Sequence, residues 1–345
     1  MAVNNVSKLG RIGIVATVAV AAQMLMGAVV AAGVDVYSYR QPELTAPLFE
    51  KFTAATGINV KVIFAEKGLA ERLKAEAANS PADVILTSDI ARLTDLVTNG
   101  LVQPVASKTI AGNIPAHYRD AENRWFGLTQ RARVIYTSKT KVKPGEITSY
   151  EALAQPQWRG RICSRSGAAD YNVLLLAAQI AHHGDAAAKQ WLSGVKANLA
   201  RKPQGNDRAQ IKAVAQGECD VALGNTYYLA LMQADPEQRP FAEAVKIVFP
   251  NQDGTGSHVN ISGMAMAKYA PNKEAALKLM EFLSGSDAQA LFAETNNEYP
   301  VNPAVPWSAL LQSWGAFKAD SLPLTEIAKH RVRALEIVNE VNFDE

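Results

Sequence analysis

Asp220-Val221-Ala222-Leu223-Gly224-Asn225-Thr226-Tyr227-Tyr228-Leu229-Ala230 holds a strand, a turn and a helix start in eleven residues. Asp220 to Leu223 has the apolar run of a buried strand. Asn225 or Thr226 can cap a helix that continues through Leu229, Ala230, Leu231 and Met232. Both tyrosines then fall in the first turn, diverging by about a quarter turn, where loop residues can bend them together. The same β-to-α pattern recurs upstream. Strands are expected at 34–39, 58–64 and 82–87, each followed by a helix, at 43–55, 68–78 and 90–98. This alternation predicts an α/β fold with a mostly parallel sheet.

The pattern changes at Trp125–Lys139, where Phe126–Thr129 and Arg133–Thr137 are nearly continuous extended segments. A strand of that length suits a crossing from one lobe to another. A second αβ region follows, with a strand at 161–163 and a long helix over 171–183. Asn260–Ala267 is an extended apolar run able to carry the chain back. The tail, Thr325–Val341, reads as helical.

At its start the chain carries Lys8 and Arg11, then an apolar stretch over 12–30 and a small-residue site, Val30-Ala31-Ala32. This is the pattern of an export signal cleaved near Ala32; a retained membrane anchor is the weaker alternative. Lys8 and Arg11 are the only charges in residues 1–32, so the 35 basic residues of the whole chain fall to 33, against 33 acidic ones. A near-neutral mature chain argues against a nucleic-acid or polybasic membrane surface. Cys163 and Cys219 are the two cysteines, and in an exported protein two commonly pair; two free buried thiols are the alternative.

Tyrosine pairs most often pack as half-buried aromatics with a polar tip. Their position here allows more. Asp170-Tyr171-Asn172 repeats the design, with Asp170 able to cap a helix that Tyr171 starts. Strand ends and helix starts gather at the open edge of an α/β sheet, where ligands bind. A phenol, with pKa about 10, is a poor anion, but a strong Lewis acid reverses that. Phenolates suit a hard trivalent cation, above all Fe(III). Three of them neutralise it and leave positions open for a small anion held by an arginine fork. Arg40, which leaves the first strand, and Arg131, at the lobe crossing, are the candidates for that fork; for either alone a salt bridge is the ordinary role. The five histidines lack metal-ligand spacing, and no nucleophile–base motif or phosphate loop is present. Ser164-Arg165-Ser166-Gly167 could bind an anion, but a plain turn is the better reading.

These residues carry a resemblance. The mature chain is similar throughout to the periplasmic ferric-iron-binding proteins, tyrosine-rich receptors of iron ABC importers. The match is specific at Val36–Pro42, Ser80–Val84, Gly127–Tyr136, Lys202–Gly205 and Gly224–Tyr228. It implies a two-lobed type II periplasmic-binding-protein fold with hinge strands and the metal in the cleft. The lobes would comprise residues 33–130 with 256–303, and 131–255 with 304–345. It implies metal ligation by Tyr171, Tyr227 and Tyr228, no enzymatic activity, an inner-membrane ABC permease as partner and a periplasmic location. We expect a monomer. Many relatives place a histidine or tyrosine just after the first strand, where this chain has Gln41-Pro42. That departure favours three phenolates and a synergistic anion, carbonate or bicarbonate, near Arg40, Gln41 and Arg131. Tyr39 is a further metal candidate. With no first-lobe ligand, iron is expected to sit mainly on one lobe, with an open form well populated. A receptor for a small organic solute, polyamine-like or thiamine-like, is the alternative on the same scaffold.

Overall fold

The computed structural model describes residue 1 and residues 33–345. The export segment expected over 1–32 therefore lies, Met1 apart, outside the described residues. Among the described residues no helix is long and apolar enough to cross a membrane.

Strand β1 (Val34–Ser38) pairs in parallel with β2 (Val60–Phe64) on one side and β3 (Val84–Thr87) on the other. Helices Pro42–Thr56 and Leu69–Glu76 lie between these strands in sequence. Gly57, at φ 72°, ends the first of them in the left-handed conformation that glycine adopts without a Cβ penalty. The short strand β4 (Val102–Gln103) follows the Ile90–Thr98 helix.

β5 (Phe126–Ser138) is one strand of 13 residues, buried along its whole length. From Phe126 to Ala132 it pairs with β9 (Val259–Ala267). From Arg133 onward it pairs with β7 (Val221–Asn225) and β8 (Val245–Val248). β6 (Ile162–Cys163) lies parallel to β7, and β10 (Tyr299–Pro300) meets β5 at Gln130 and Thr129. The partners of β5 thus change between Ala132 and Arg133, and the sheet divides there into two halves. The expected crossing strand and its return at β9 are both present.

The sheet is not mostly parallel. β5 is antiparallel to β7, β8, β9 and β10, and β9 to β3, β4 and β5. Helical crossovers make neighbours parallel, but a strand that leaves one half and its return must run in opposite directions. The crossing is locked laterally. Arg133 N–H donates to His258 O at 2.9 Å. The Tyr150 hydroxyl donates to Arg133 O at 2.5 Å and accepts from His258 N–H at 3.0 Å.

The expected tail helix is two, Leu324–Lys329 and Arg331–Glu340, broken at His330. The break lets the first pack on both the Ile90–Thr98 and Asp170–His183 helices while the second packs on the latter. With these contacts Ala32–Glu345 forms one compact unit. Cys163 and Cys219 form a disulfide with Cα atoms 5.8 Å apart, tying β6 to the turn that leads into β7. Closing a loop of 56 residues stabilises by about 4 kcal/mol in the chain-entropy account.

Candidate functional site

β7 ends at Asn225 and the Thr226–Ala234 helix follows at once. Gly224 makes this junction possible, because a Cβ there would lie 2.0 Å from the Tyr136 ring. The Tyr136 hydroxyl in turn donates to Asn225 O at 2.5 Å. Asn225 holds the N-cap position, but its side chain does not cap. Its Oδ1 accepts from Arg133 Nη1 at 3.1 Å instead. Asp170 is likewise not a cap. It is the first residue of its helix, after Ala169, and its carboxylate meets Arg331 at 3.5 Å. For Asn225 a guanidinium claims the oxygen expected to cap; Asp170 stands one position past the cap.

The two helix starts converge. The Tyr227 hydroxyl donates to the Tyr171 hydroxyl at 3.1 Å. The Tyr227 and Tyr228 rings stack with centroids 4.2 Å apart and planes tilted by 39°. Neighbouring oxygens around a small octahedral cation with bonds of about 2.0–2.1 Å lie about 2.9 Å apart, so the Tyr171–Tyr227 spacing suits one coordination sphere.

Guanidiniums surround this trio. Arg131, Arg133 and Arg165 lie 5.8, 5.9 and 5.6 Å from the Tyr171 ring centre. Arg208 lies 5.8 Å from that of Tyr228. Arg133 is fully enclosed and held by Asp207 at 2.8 Å and Asn172 Oδ1 at 2.6 Å. Asp207 also accepts from Arg165 at 3.3 Å and from Asn225 N–H at 3.2 Å. Asn172 Nδ2 donates to Arg165 O and Ser166 O, which fixes the loop before Tyr171. The Ser164–Gly167 segment is occupied by the chain's own Asp344. Its carboxylate accepts from Ser166 Oγ at 2.6 Å and Gly167 N–H at 2.7 Å.

Burial, then the neighbouring Tyr171 and Asp207, push the Tyr228 phenol up to about 12. Burial, with Tyr171 and Tyr228 beside it, raises Tyr227 well above the ordinary phenol value.

The candidates from the first half are placed differently. Arg131 is 2 % exposed; its Nη2 donates to Ser88 O, while Nε and Nη1 have no partner among the described residues. Arg40 is not free to form a fork. Its Nη1 and Nη2 reach the Glu298 carboxylate at 3.4 and 2.9 Å, the salt bridge that a buried guanidinium requires. Glu298 also accepts from Thr129 Oγ1 at 2.7 Å. Burial opposes its ionisation, but Arg40, Arg131 and these hydrogen bonds hold it below the usual carboxylate range. Gln41 is exposed at the start of the Pro42–Thr56 helix. The Tyr39 hydroxyl accepts from Ala70 N–H at 3.0 Å, and Arg92 lies 4.2 Å from its ring centre. The structure therefore gathers Tyr171, Tyr227, Tyr228 and Arg131, and leaves Arg40, Gln41 and Tyr39 in other company. A cleft of about 260 Å³ lined by Tyr39, Asp89, Arg92, Asp170 and Arg331 opens between the halves. Among the described residues no cluster of three or more His, Cys, Asp or Glu side chains suits a metal.

Asp207, Asn172 and Glu298 escape a reading of the sequence. Nothing local sets them apart from surface residues; the only hint is that a buried arginine needs an acid.

The model of the family described as bacterial extracellular solute-binding protein matches residues 47–319. The chain is a bacterial extracellular solute-binding protein. This solute-binding protein is 45% identical over 313 residues to iron uptake protein A1 of Synechocystis, covering 90% of this chain and 87% of that one. It superposes on the ferric iron-binding protein A of Mannheimia haemolytica in an open conformation with TM-score 0.86. That match has 51% identity and covers 91% of this chain and 100% of the other. A Trichodesmium protein solved in complex with iron and citrate matches with TM-score 0.86 and 44% identity, over 90% of this chain and 100% of that one. The α/β fold of two lobes joined by hinge strands is the fold of these solved proteins.

Proposed function

We propose that this solute-binding protein is a periplasmic receptor that holds Fe(III) and delivers it to an inner-membrane ABC permease. One observation carries the reading: the Tyr171 and Tyr227 hydroxyls lie 3.1 Å apart, with Tyr228 stacked on Tyr227 at 4.2 Å. Phenols that close, ringed by guanidiniums, suit a hard trivalent cation once deprotonated. Tyr171, Tyr227 and Tyr228 are the ligands in this reading. The unpartnered nitrogens of Arg131 hold the anion that completes the sphere, carbonate or bicarbonate. Citrate, present with iron in the Trichodesmium protein, is a carboxylate of the same chemistry. Arg40 acts through Glu298, and Gln41 reaches the anion only if the lobes close. The lobes are residues 33–130 with 256–303, and 131–255 with 304–345. The receptor works as a monomer, after cleavage near Ala32.

The test is an absorbance titration with Fe(III), with and without bicarbonate, on the protein and on Tyr171→Phe, Tyr227→Phe and Tyr228→Phe. A visible phenolate-to-iron band should form and weaken in each variant. Affinity losses should exceed the about 10–100-fold typical of outer-shell residues. An undiminished band in all three variants removes the assignment. Absence of any band, with uptake of an organic cation, replaces it by the organic-solute alternative.

A further inference from the structure

The cleft between the halves carries charge on both walls. The first half supplies Lys67 and Glu71 around the start of the Leu69–Glu76 helix, and Asp89, Arg92 and Asp95 along the Ile90–Thr98 helix. The second half supplies Asp170 and Arg331. The chain just before Arg331 brings it there. Helix Leu324–Lys329 packs on both the Ile90–Thr98 and the Asp170–His183 helices, with Leu324 and Ile327 buried. A new helix starts at Arg331, directly after the break at His330, so its guanidinium belongs to the seam between the halves.

The charges on the first wall are unevenly paired. Asp89 accepts from Arg92 N–H at 3.0 Å, and its other oxygen lies 3.3 Å from Arg92 Nε. Glu71 and Asp95 stand on the same wall and have no ion pair among the described residues. On the second wall Arg331 meets Asp170 through one nitrogen at 3.5 Å, with 43 % and 52 % of the two side chains exposed. A guanidinium has five N–H donors, so most of this one is uncommitted. Its charge already acts across the gap. Partial burial raises the Asp95 carboxyl above its usual value, and the foremost charge opposing that rise is Arg331.

We propose that Arg331 is a latch between the lobes. It is carried by the second half and pairs with Asp95 of the first, with Glu71 beside it. The halves are thus drawn together by charge, with no metal between them. Contacts that differ between two arrangements of the halves bias one against the other. The latch is such a contact, and it is built from side chains other than the phenols.

The experiment uses the iron-free protein with spin labels on Lys61→Cys and Lys246→Cys, exposed positions on β2 and β8 in opposite halves. Pulsed electron resonance reads the label distances at about 0.01 M and about 1 M salt, where the Debye length is about 30 and about 3 Å. High salt should shift the population away from the drawn-together arrangement. Arg331→Glu should do the same at low salt, by about two- to fivefold, the range for an exposed ion pair. Adding Asp95→Arg to Arg331→Glu remakes the pair with its signs exchanged and should restore the parent distribution. A distribution in Arg331→Glu that matches the parent at low salt, or one that Asp95→Arg fails to restore, overturns the proposal. No metal enters the measurement, so its failure leaves the tyrosine assignment standing, and failure of the absorbance titration leaves the latch standing.

Discussion

At the residue scale, the phenols of Tyr227 and Tyr228 have raised pKa values, about 12 for Tyr228. They are therefore neutral near pH 7, and each that ligates iron must release a proton. Ferric affinity should rise by about one decade per pH unit for every ligating phenol. Competition with a chelator of known pH dependence, between pH 6 and 8, measures this; a flat profile contradicts ligation by these phenols. The same shifts act on folding. Their contribution to stability is full below the unfolded phenol value of about 10, and is lost as pH rises through about 12. Alkaline melts of the iron-free protein should show that loss. Glu298 offers a second test. Glu298→Ala leaves the Arg40 guanidinium buried and unpaired, which should cost about 3–5 kcal/mol in urea unfolding. The tyrosines were legible because each sits in a local pattern of strand, turn and helix start. Glu298 was not, because it lies 258 positions from Arg40.

At the scale of elements, the junction of β7 with its helix depends on Gly224. Gly224→Ala drives a methyl into the Tyr136 ring, and overpacking of this kind typically costs about 1–3 kcal/mol. It should also shift Asn225 and loosen the metal site, so both the melting temperature and the ferric affinity should fall. The C-terminal strap bears on the other helix start. Asp344→Ala removes the carboxylate from Ser166 and Gly167, just ahead of Tyr171. Ferric affinity should drop by up to about tenfold with little change in melting temperature; an unchanged affinity would mean that the strap only packs. Helices and strands were readable from period and turn residues. The caps were not: the Asn225 oxygen is engaged by Arg133, distant in sequence, and the helix at Tyr171 starts one residue earlier than expected, with Asp170 inside it.

At the scale of the whole molecule, reducing the Cys163–Cys219 bond should lower stability by about 4 kcal/mol, measured by urea unfolding with and without reductant. In the proposed reading all three ligating phenols come from one half, so the drive toward closure is expected to be small. Solution scattering should show little compaction on adding iron, and full compaction would point to a ligand from the first half. The α/β alternation and the long crossing were legible along the chain. The antiparallel majority was not, because it is a property of β5 and β9 returning past each other.

One consequence lies in where β5 changes partners. Arg131 pairs with Asn260 in one half, and Arg133 pairs with Asn225 in the other. Only Ala132 separates them. A turn of one half against the other about this point would change the spacing of the two guanidiniums. In the proposed reading, the hold of Arg131 on the cargo's counter-charge is thereby tied to the rotation of the domains.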